Sequence, residues 1–111
     1  MSVYPQPNKV NDVTRRVQLA AGTTAVYTCP NGFTATVDKI IIHTPSSSSV
    51  SLSIDTSTNS IKVYDFSLSA DDTLVDTNGY KLVASEKISI SNTSSLNIVV
   101  EVKEYYIYAP K

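Results

Sequence analysis

Apolar and polar residues alternate in short runs along most of the chain. In residues 49–55 the apolar side chains are separated by serines, and residues 96–103 repeat the alternation. Successive side chains of a strand point to opposite faces, so each run predicts a β-strand with one buried face. Three consecutive isoleucines at 40–42 predict a strand near the centre of a sheet. No window has an apolar repeat of helical length, and only residues 67–76 leave room for a helical turn.

Turn signals separate these runs. The Pro-Asn-Gly sequence at residues 30–32 and the Asn-Gly pair at 78–79 favour tight turns, because asparagine and glycine tolerate positive φ. Pro45 and the serines that follow it mark a loop. Such signals recur about every 8–12 residues, which is typical of an antiparallel sandwich or barrel. The sequence therefore predicts an all-β fold, a jelly-roll-like antiparallel β-sandwich of about eight strands, in a domain of residues 14–111.

Residues 1–13 differ from the rest of the chain. They contain Pro5 and Pro7 and lack strand-like alternation, and proline favours extended backbone while donating no hydrogen bond. They predict an extended N-terminal arm, which is either a frayed terminus or a segment that lies along a neighbouring subunit. The candidate apolar anchors of this arm are Val3, Tyr4, Val10 and Val13.

Composition narrows the class of protein. The 111 residues make one domain of ordinary size, and 13 valines and 9 isoleucines outnumber 6 leucines and 7 alanines. β-Branched side chains favour strands over helices. The net charge of −1 lacks the basic surface that nucleic-acid binding needs. No apolar run approaches the ~18 residues of a membrane span, and the N-terminus lacks the pattern of a signal peptide. We expect a soluble protein without nucleic-acid or membrane partners.

Few residues could carry chemistry. Cys29 is the single cysteine and His43 the single histidine, so no internal disulfide is possible and a zinc site would need other ligands. Asp71, Asp72 and Asp76 could offer oxygen ligands to Ca²⁺. However, the spacing of an EF-hand is absent, and turn aspartates more commonly bond their own backbone. The chain also lacks a glycine-rich phosphate loop and a Gly-x-Ser-x-Gly elbow. We therefore expect neither an enzyme nor a cofactor or metal site.

Two short clusters are candidate partner contacts. Tyr105, Tyr106 and Tyr108 lie near the C-terminus, and tyrosines are enriched in interfaces because they combine apolar area with a polar tip. The alternative for them is packing at an edge of the sandwich. Arg15 and Arg16 are the only arginines, and a guanidinium pairs well with a carboxylate of a partner. The alternative for them is two solvated charges that discourage pairing at a sheet edge.

The order of turns and strands resembles that of small virion proteins of tailed bacteriophages. The motifs that carry the resemblance are Tyr-Thr-Cys-Pro-Asn-Gly-Phe-Thr-Ala-Thr-Val at residues 27–37, Leu-Ser-Ala-Asp-Asp-Thr-Leu at 68–74 and Leu-Val-Ala-Ser-Glu-Lys-Ile at 82–88. This chain has Asp71 and Ser85 where the resembled pattern has glycine.

The resemblance implies a β-sandwich that forms a structural part of the phage particle, with no catalytic residues to transfer. Among such structural parts we expect a capsid decoration or cement protein, which would bind the major capsid protein of the assembled shell in many copies and clamp neighbouring subunits. A neck, tail or fibre-base protein is the alternative within this class, again with a homo-oligomer or symmetric array. The implied localisation is the virion, assembled in the host cytoplasm.

An alternative of another class is a carbohydrate-binding module, because sandwiches with surface tyrosines can stack on sugars. The chain has no tryptophan and only 8% aromatic residues, which counts against that alternative.

Overall fold

A computed structural model describes residues 10–106 and contains nine strands and no helix in that range. The strands are β1 (Val10–Leu19), β2 (Gly22–Thr28), β3 (Phe33–His43), β4 (Ser48–Asp55), β5 (Ser60–Leu68), β6 (Thr73–Asp76), β7 (Tyr80–Leu82), β8 (Lys87–Asn92) and β9 (Leu96–Tyr106). The predicted all-β class is confirmed. Within the same residues, no helix is present that could cross a membrane.

The strands pair in nested order. The innermost pair is β4 with β5, then β3 with β6 and β7, then β2 with β8, and the outermost is β1 with β9, all antiparallel. The pairs divide between two sheets. Sheet 1 has the order β1-β9-β3-β6, with β7 also on β3, and sheet 2 has the order β2-β8-β4-β5. A long hairpin rolled so that its pairs fall in facing sheets is a jelly roll, which confirms the predicted architecture.

The apolar alternation buries one face of each sheet between the two layers. Val50 and Leu52 on β4 face inward at 1% and 0% exposure, while Ser51 between them faces outward. The predicted central strand is β3, with Ile40 and Ile42 fully buried and Ile41 on the outer face. The buried apolar side chains are Leu19, Val26, Tyr27, Cys29, Ala35, Val37, Ile40, Ile42, Val50, Leu52, Leu82, Ile88, Ile90, Leu96, Ile98, Val100 and Val102.

The structure corrects the predicted boundary between arm and domain. Strand β1 begins at Val10, so residues 10–13 belong to sheet 1 and pair with residues 102–105 of β9. Val13 packs against the core. The sequence does not reveal this pairing, because the two apolar residues of 10–13 are three positions apart and do not alternate. The rest of the predicted arm, with Val3 and Tyr4, lies outside the described residues.

The structure decides two local features that the sequence left open. In β2 the register shifts between Ala25 and Tyr27, so Val26 and Tyr27 are both buried although strict alternation would place them on opposite faces. Such a β-bulge inserts one extra residue and re-aims the side chains that follow it. Residues 67–76, where a helical turn had room, instead hold the end of β5, a turn and β6.

Two turns of this fold share one design. Asp71 and Ser85 both have positive φ, 64° and 73°, at the two positions where the resembled phage pattern has glycine. In each turn the next residue is acidic, and its carboxylate accepts a backbone N–H three residues earlier. Asp72 accepts from Ser69 and Glu86 from Val83, both at 2.9 Å. This side-chain hydrogen bond supports a left-handed residue that is not glycine.

The two lateral edges of the sandwich differ. At one edge, β1 and β2 are joined by two residues and contact each other. At the other edge, β5 is nine residues long, but the strands of sheet 1 beside it have only four and three. The short strands of sheet 1 therefore do not cover all the inner-face side chains of β5. Among these side chains, Ile61 and Phe66 are 54% and 43% exposed.

Candidate interaction surface

Cys29 and His43 do not form a chemical centre. The Cys29 thiol is 1% exposed and donates to the carbonyl of Phe33 at 3.3 Å, and burial raises its pKa. A thiol of this kind packs as a small apolar group. The Nδ1 of His43 lies 3.0 Å from the hydroxyl of Thr73 on the outer face of sheet 1. Within residues 10–106, no three histidine, cysteine or acidic side chains are placed to hold a metal ion.

The three aspartates considered for Ca²⁺ have separate roles. Asp72 caps its own turn, as the backbone contact with Ser69 shows, and the Asp71 side chain is 84% exposed. Asp76 is only 6% exposed and lies in a different environment. The turn interpretation therefore holds for Asp72.

Asp76 joins the two sheets at the edge beside β5. Its carboxylate accepts the hydroxyls of Tyr80 at 2.6 Å and of Tyr64 at 2.8 Å, and the backbone N–H of Asn78 at 2.9 Å. Tyr64 belongs to sheet 2, whereas Asp76 and Tyr80 belong to sheet 1. Burial raises the pKa of Asp76, but these hydrogen bonds outweigh it and hold the pKa below its ordinary value. Burial is the main cause that raises the pKa of both tyrosines, and the hydrogen bond to the Asp76 carboxylate raises it further.

A second polar contact crosses the core at the other end. The Tyr27 hydroxyl of β2 donates to Oε2 of Glu104 on β9 at 2.5 Å, and both side chains are buried. Burial, followed by this hydrogen bond, raises the pKa of Tyr27. Neither carboxylate is predicted from the sequence as a structural group. The available signal for Glu104 was its parity, because it continues the inward series that ends at Val102.

The outer face of sheet 2 is covered with hydroxyls. One row across the sheet is Thr23, Ser91, Ser51 and Asp65, and the next contains Ser89, Ser53 and Lys62. A shallow groove of about 480 Å³ on this face is lined only by polar side chains. Its lining residues are Thr23, Ser53, Asp55, Thr56, Ser57, Thr58, Asn59, Ser60, Ser89 and Ser91.

The outer face of sheet 1 is different. The register aligns Arg16, Val99, Ile41 and Val75 in one row across four strands. Val75 is 53% exposed, and Val99 and Ile41 are half-buried. A groove of about 330 Å³ lies between Arg16, Val99 and Ile41 of this row and the polar side chains of the next row, Gln18, Asn97 and His43. Apolar groups in a row on an outer face are typical of a contact surface, since they gain from being covered.

The predicted arginine pair divides between the two faces of β1. Arg16 ends the apolar row on the outer face, whereas Arg15 is opposite Val100 and shares the side of Val13 and Val17. The Arg15 charge acts on Tyr27, whose pKa it lowers slightly against the larger effects of burial and Glu104. The two arginines therefore lie on different faces of sheet 1.

Two of the predicted tyrosines lie at the end of β9, beside the first residues of β1. Tyr105 is opposite both Val10 and Thr34 in the register, so Val10 and Tyr105 lie side by side on the outer face of sheet 1. Tyr106 contacts Phe33 edge to face, with ring centroids 5.6 Å apart, and remains 45% exposed. Tyr108 lies outside the described residues. The structure thus brings two of the predicted contact residues, Val10 and Tyr105, into one apolar corner.

Comparisons with known proteins give a fold but no family. The sequence matches no protein-family model, and no curated protein matches it. A chain of the acidic stable capsid of Helicobacter pylori bacteriophage KHP30 is similar in structure, with a TM-score of 0.56 and 15% identity over 87% of this chain and 93% of that chain. A pentameric capsid protein isolated from metagenomic phage sequences has a TM-score of 0.51 and 11% identity over 97% of this chain and 70% of that chain. The jelly-roll fold found here is therefore one that bacteriophage capsid proteins share.

Proposed function

We propose that this chain is a non-enzymatic structural protein of a bacteriophage particle, and that it decorates or cements the capsid shell. The observation that carries the proposal is the similarity of the whole jelly roll, over 87% and 97% of its length, to two phage capsid proteins. The chemistry of the described residues agrees with it. Their buried polar groups tie the sheets together, as Asp76 and Glu104 do, rather than converging on an open cavity.

The contrast between the outer faces supports an orientation on the particle. The outer face of sheet 1 carries the apolar row, which ends at Arg16, and carries Val10 and Tyr105 at one corner. This composition is that of a surface that contacts a protein. The hydroxyl face of sheet 2 has little to gain from being covered. We therefore place sheet 1 against the shell and sheet 2 toward solvent.

The two outer faces also bear on the alternative functions. A neck, tail or fibre-base protein would use the same face of sheet 1 and differ only in copy number. A carbohydrate-binding module is less well supported, since the groove of sheet 2 has no aromatic side chain on which a sugar could stack.

Particle composition tests this function. We expect on the order of hundreds of copies in each purified particle, because a closed symmetric shell repeats its subunits. We expect Arg16→Glu to weaken incorporation, since it reverses a charge on sheet 1, while Lys87→Glu on the exposed face of sheet 2 leaves incorporation unchanged. Quantitative mass spectrometry of particles provides both readouts. Absence from particles would refute the proposal, and a single ring of copies would move the protein to the neck or tail.

Two deletions separate attachment from folding. We propose that residues 1–9 attach the domain to a neighbour, so deleting them should leave the melting temperature of the free domain unchanged and reduce incorporation. Deleting residues 1–13 should lower the melting temperature as well, because it removes Val13 and the pairing with residues 102–105. Thermal unfolding and particle co-sedimentation give the two measurements. A domain destabilised by loss of residues 1–9 would show that this segment belongs to the fold.

A further inference from the structure

We propose that strand β5 is a self-complementary edge, through which two copies of this chain pair antiparallel about a two-fold axis. This interface uses the open edge of sheet 2 and not the outer face of sheet 1, so it does not depend on the function proposed above. It would join two four-stranded sheets into one continuous sheet.

The first supporting observation is an available edge. Within residues 10–106, β5 pairs only with β4, and its nine residues carry unpaired backbone groups along the other side. Long edge strands pair readily with other chains unless charge, proline or a covering segment prevents it. The β5 edge has no proline, and the short strands β6 and β7 leave much of it uncovered.

The second observation is an irregularity in β5. Lys62 is opposite Ser53 and Tyr64 is opposite Leu52, which leaves Val63 as an extra residue. The bulge changes the parity of the strand. As a result Lys62 and Asp65, three residues apart, both lie on the outer face, where their side chains are 59% and 60% exposed. Ile61 and Phe66, five residues apart, both lie on the inner side.

This spacing makes β5 complementary to itself. Cross-strand neighbours must point to the same face. If Lys62 is opposite Asp65 of the partner subunit, antiparallel pairing places Ile61 opposite Phe66 of the partner subunit. The two members of each pair then point to the same face, the charged pair outward and the apolar pair inward. The two-fold axis repeats each pair, giving two opposite-charge pairs and two apolar pairs. In a regular strand, residues 62 and 65 would point to opposite faces and this pairing would fail.

The apolar side chains favour the same arrangement. Ile61 and Phe66 are among the most exposed apolar residues described, at 54% and 43%. A cleft of about 180 Å³ beside Phe66, bounded by Leu74 and Val75, is open at this edge. Ile61 of the partner subunit would be placed at its mouth, so pairing would cover apolar surface on both copies.

Charge reversal tests the register. Lys62→Asp and Asp65→Lys should each weaken self-association about tenfold or more, because each places like charges opposite each other twice. An equimolar mixture of the two variants should regain dimer, since every crossing pair is then of opposite charge. Sedimentation velocity over a concentration series measures the dissociation constants. Lys103→Asp, an exposed reversal on sheet 1, is the matched control and should dimerise like the unmodified protein.

The mixture distinguishes an interface from an effect within one chain. Lys62 and Asp65 also contact each other at 3.2 Å in the same strand, and that contact is lost in each variant and is not restored by mixing. Recovery in the mixture therefore requires pairing between copies. A protein that stays monomeric, variants that dimerise normally, or a mixture that does not recover would each overturn the proposal. A Phe66→Ser variant should also weaken the dimer while circular dichroism shows that the fold is retained.

Discussion

Replacing Asp76 by asparagine is expected to lower the free energy of unfolding by about 2–4 kcal/mol, a large share of the stability of a domain this size. The carboxylate accepts two tyrosine hydroxyls and a backbone N–H while only 6% exposed. Hydrogen bonds to a charged group are stronger than neutral ones, and the amide cannot accept all three. Because Tyr64 and Asp76 belong to different sheets, the loss also loosens the β5 edge. Urea unfolding at neutral pH measures the change.

The matched control is Asp71→Asn, which makes the same chemical change at an exposed position. Asparagine tolerates the positive φ found there, so we expect a change within about 0.5 kcal/mol. The pH dependence has a defined sign. The pKa of Asp76 is lowered in the folded state, so its contribution is present above the unfolded pKa of about 3.9 and is lost as pH falls through the folded value. The difference between the original protein and the variant should therefore shrink in acid; a constant difference would contradict this account.

Alkaline pH is expected to unfold this protein through its buried tyrosines. Folding raises the pKa of Tyr27, Tyr64 and Tyr80, in each case chiefly by burial and then by a carboxylate partner. The unfolded chain releases these protons near pH 10 and the folded chain does not. The stabilisation contributed by these hydroxyls is therefore fully present below about pH 10. As pH rises further, the free energy of unfolding falls by up to about 1.4 kcal/mol per pH unit for each tyrosine.

Tyr27→Phe provides the specific test. Without the hydroxyl, Glu104 is left buried and without its donor, which should cost about 1–3 kcal/mol at neutral pH. The alkaline slope should also become shallower, since one coupled ionisation is removed. Urea unfolding between about pH 8 and 11 gives the slope, and ultraviolet absorbance reports tyrosinate. A tyrosinate absorbance near pH 10 that is smaller in the folded Tyr27→Phe variant than in the folded original protein would show that the Tyr27 hydroxyl is not held as described.

Short-range patterns predicted much of this fold because strands and turns are local structures. The alternation in residues 49–55 gave the burial of β4 correctly, since a period of two leaves no other way to cover the apolar side chains. The turn signals at 30–32 and 78–79 lie between β2 and β3 and between β6 and β7, as expected. Each of these features depends on residues close together in the chain.

The candidate site was less predictable, because its members are distant in sequence. Glu104 and Tyr27 are separated by 77 residues, and Asp76 binds a tyrosine from the facing sheet. Arg15 and Arg16 are adjacent in sequence, yet alternation along β1 sends them to different faces. The apolar row on sheet 1 exists only because four strands meet in one register. The partner contacts themselves remain a prediction.

The sequence by itself determined the all-β class, the approximate strand count and the turns, because period-two burial and turn chemistry act over a few residues. Tertiary structure alone decided the pairing of residues 10–13 in β1, the bulges at Val26 and Val63, and the open edge beside β5. A strand end or a bulge is set by the strand opposite, whose hydrogen bonds it must match across tens of residues. Whether an edge is open depends on the lengths of the strands that face it in the other sheet. The sequence of one strand does not contain those lengths.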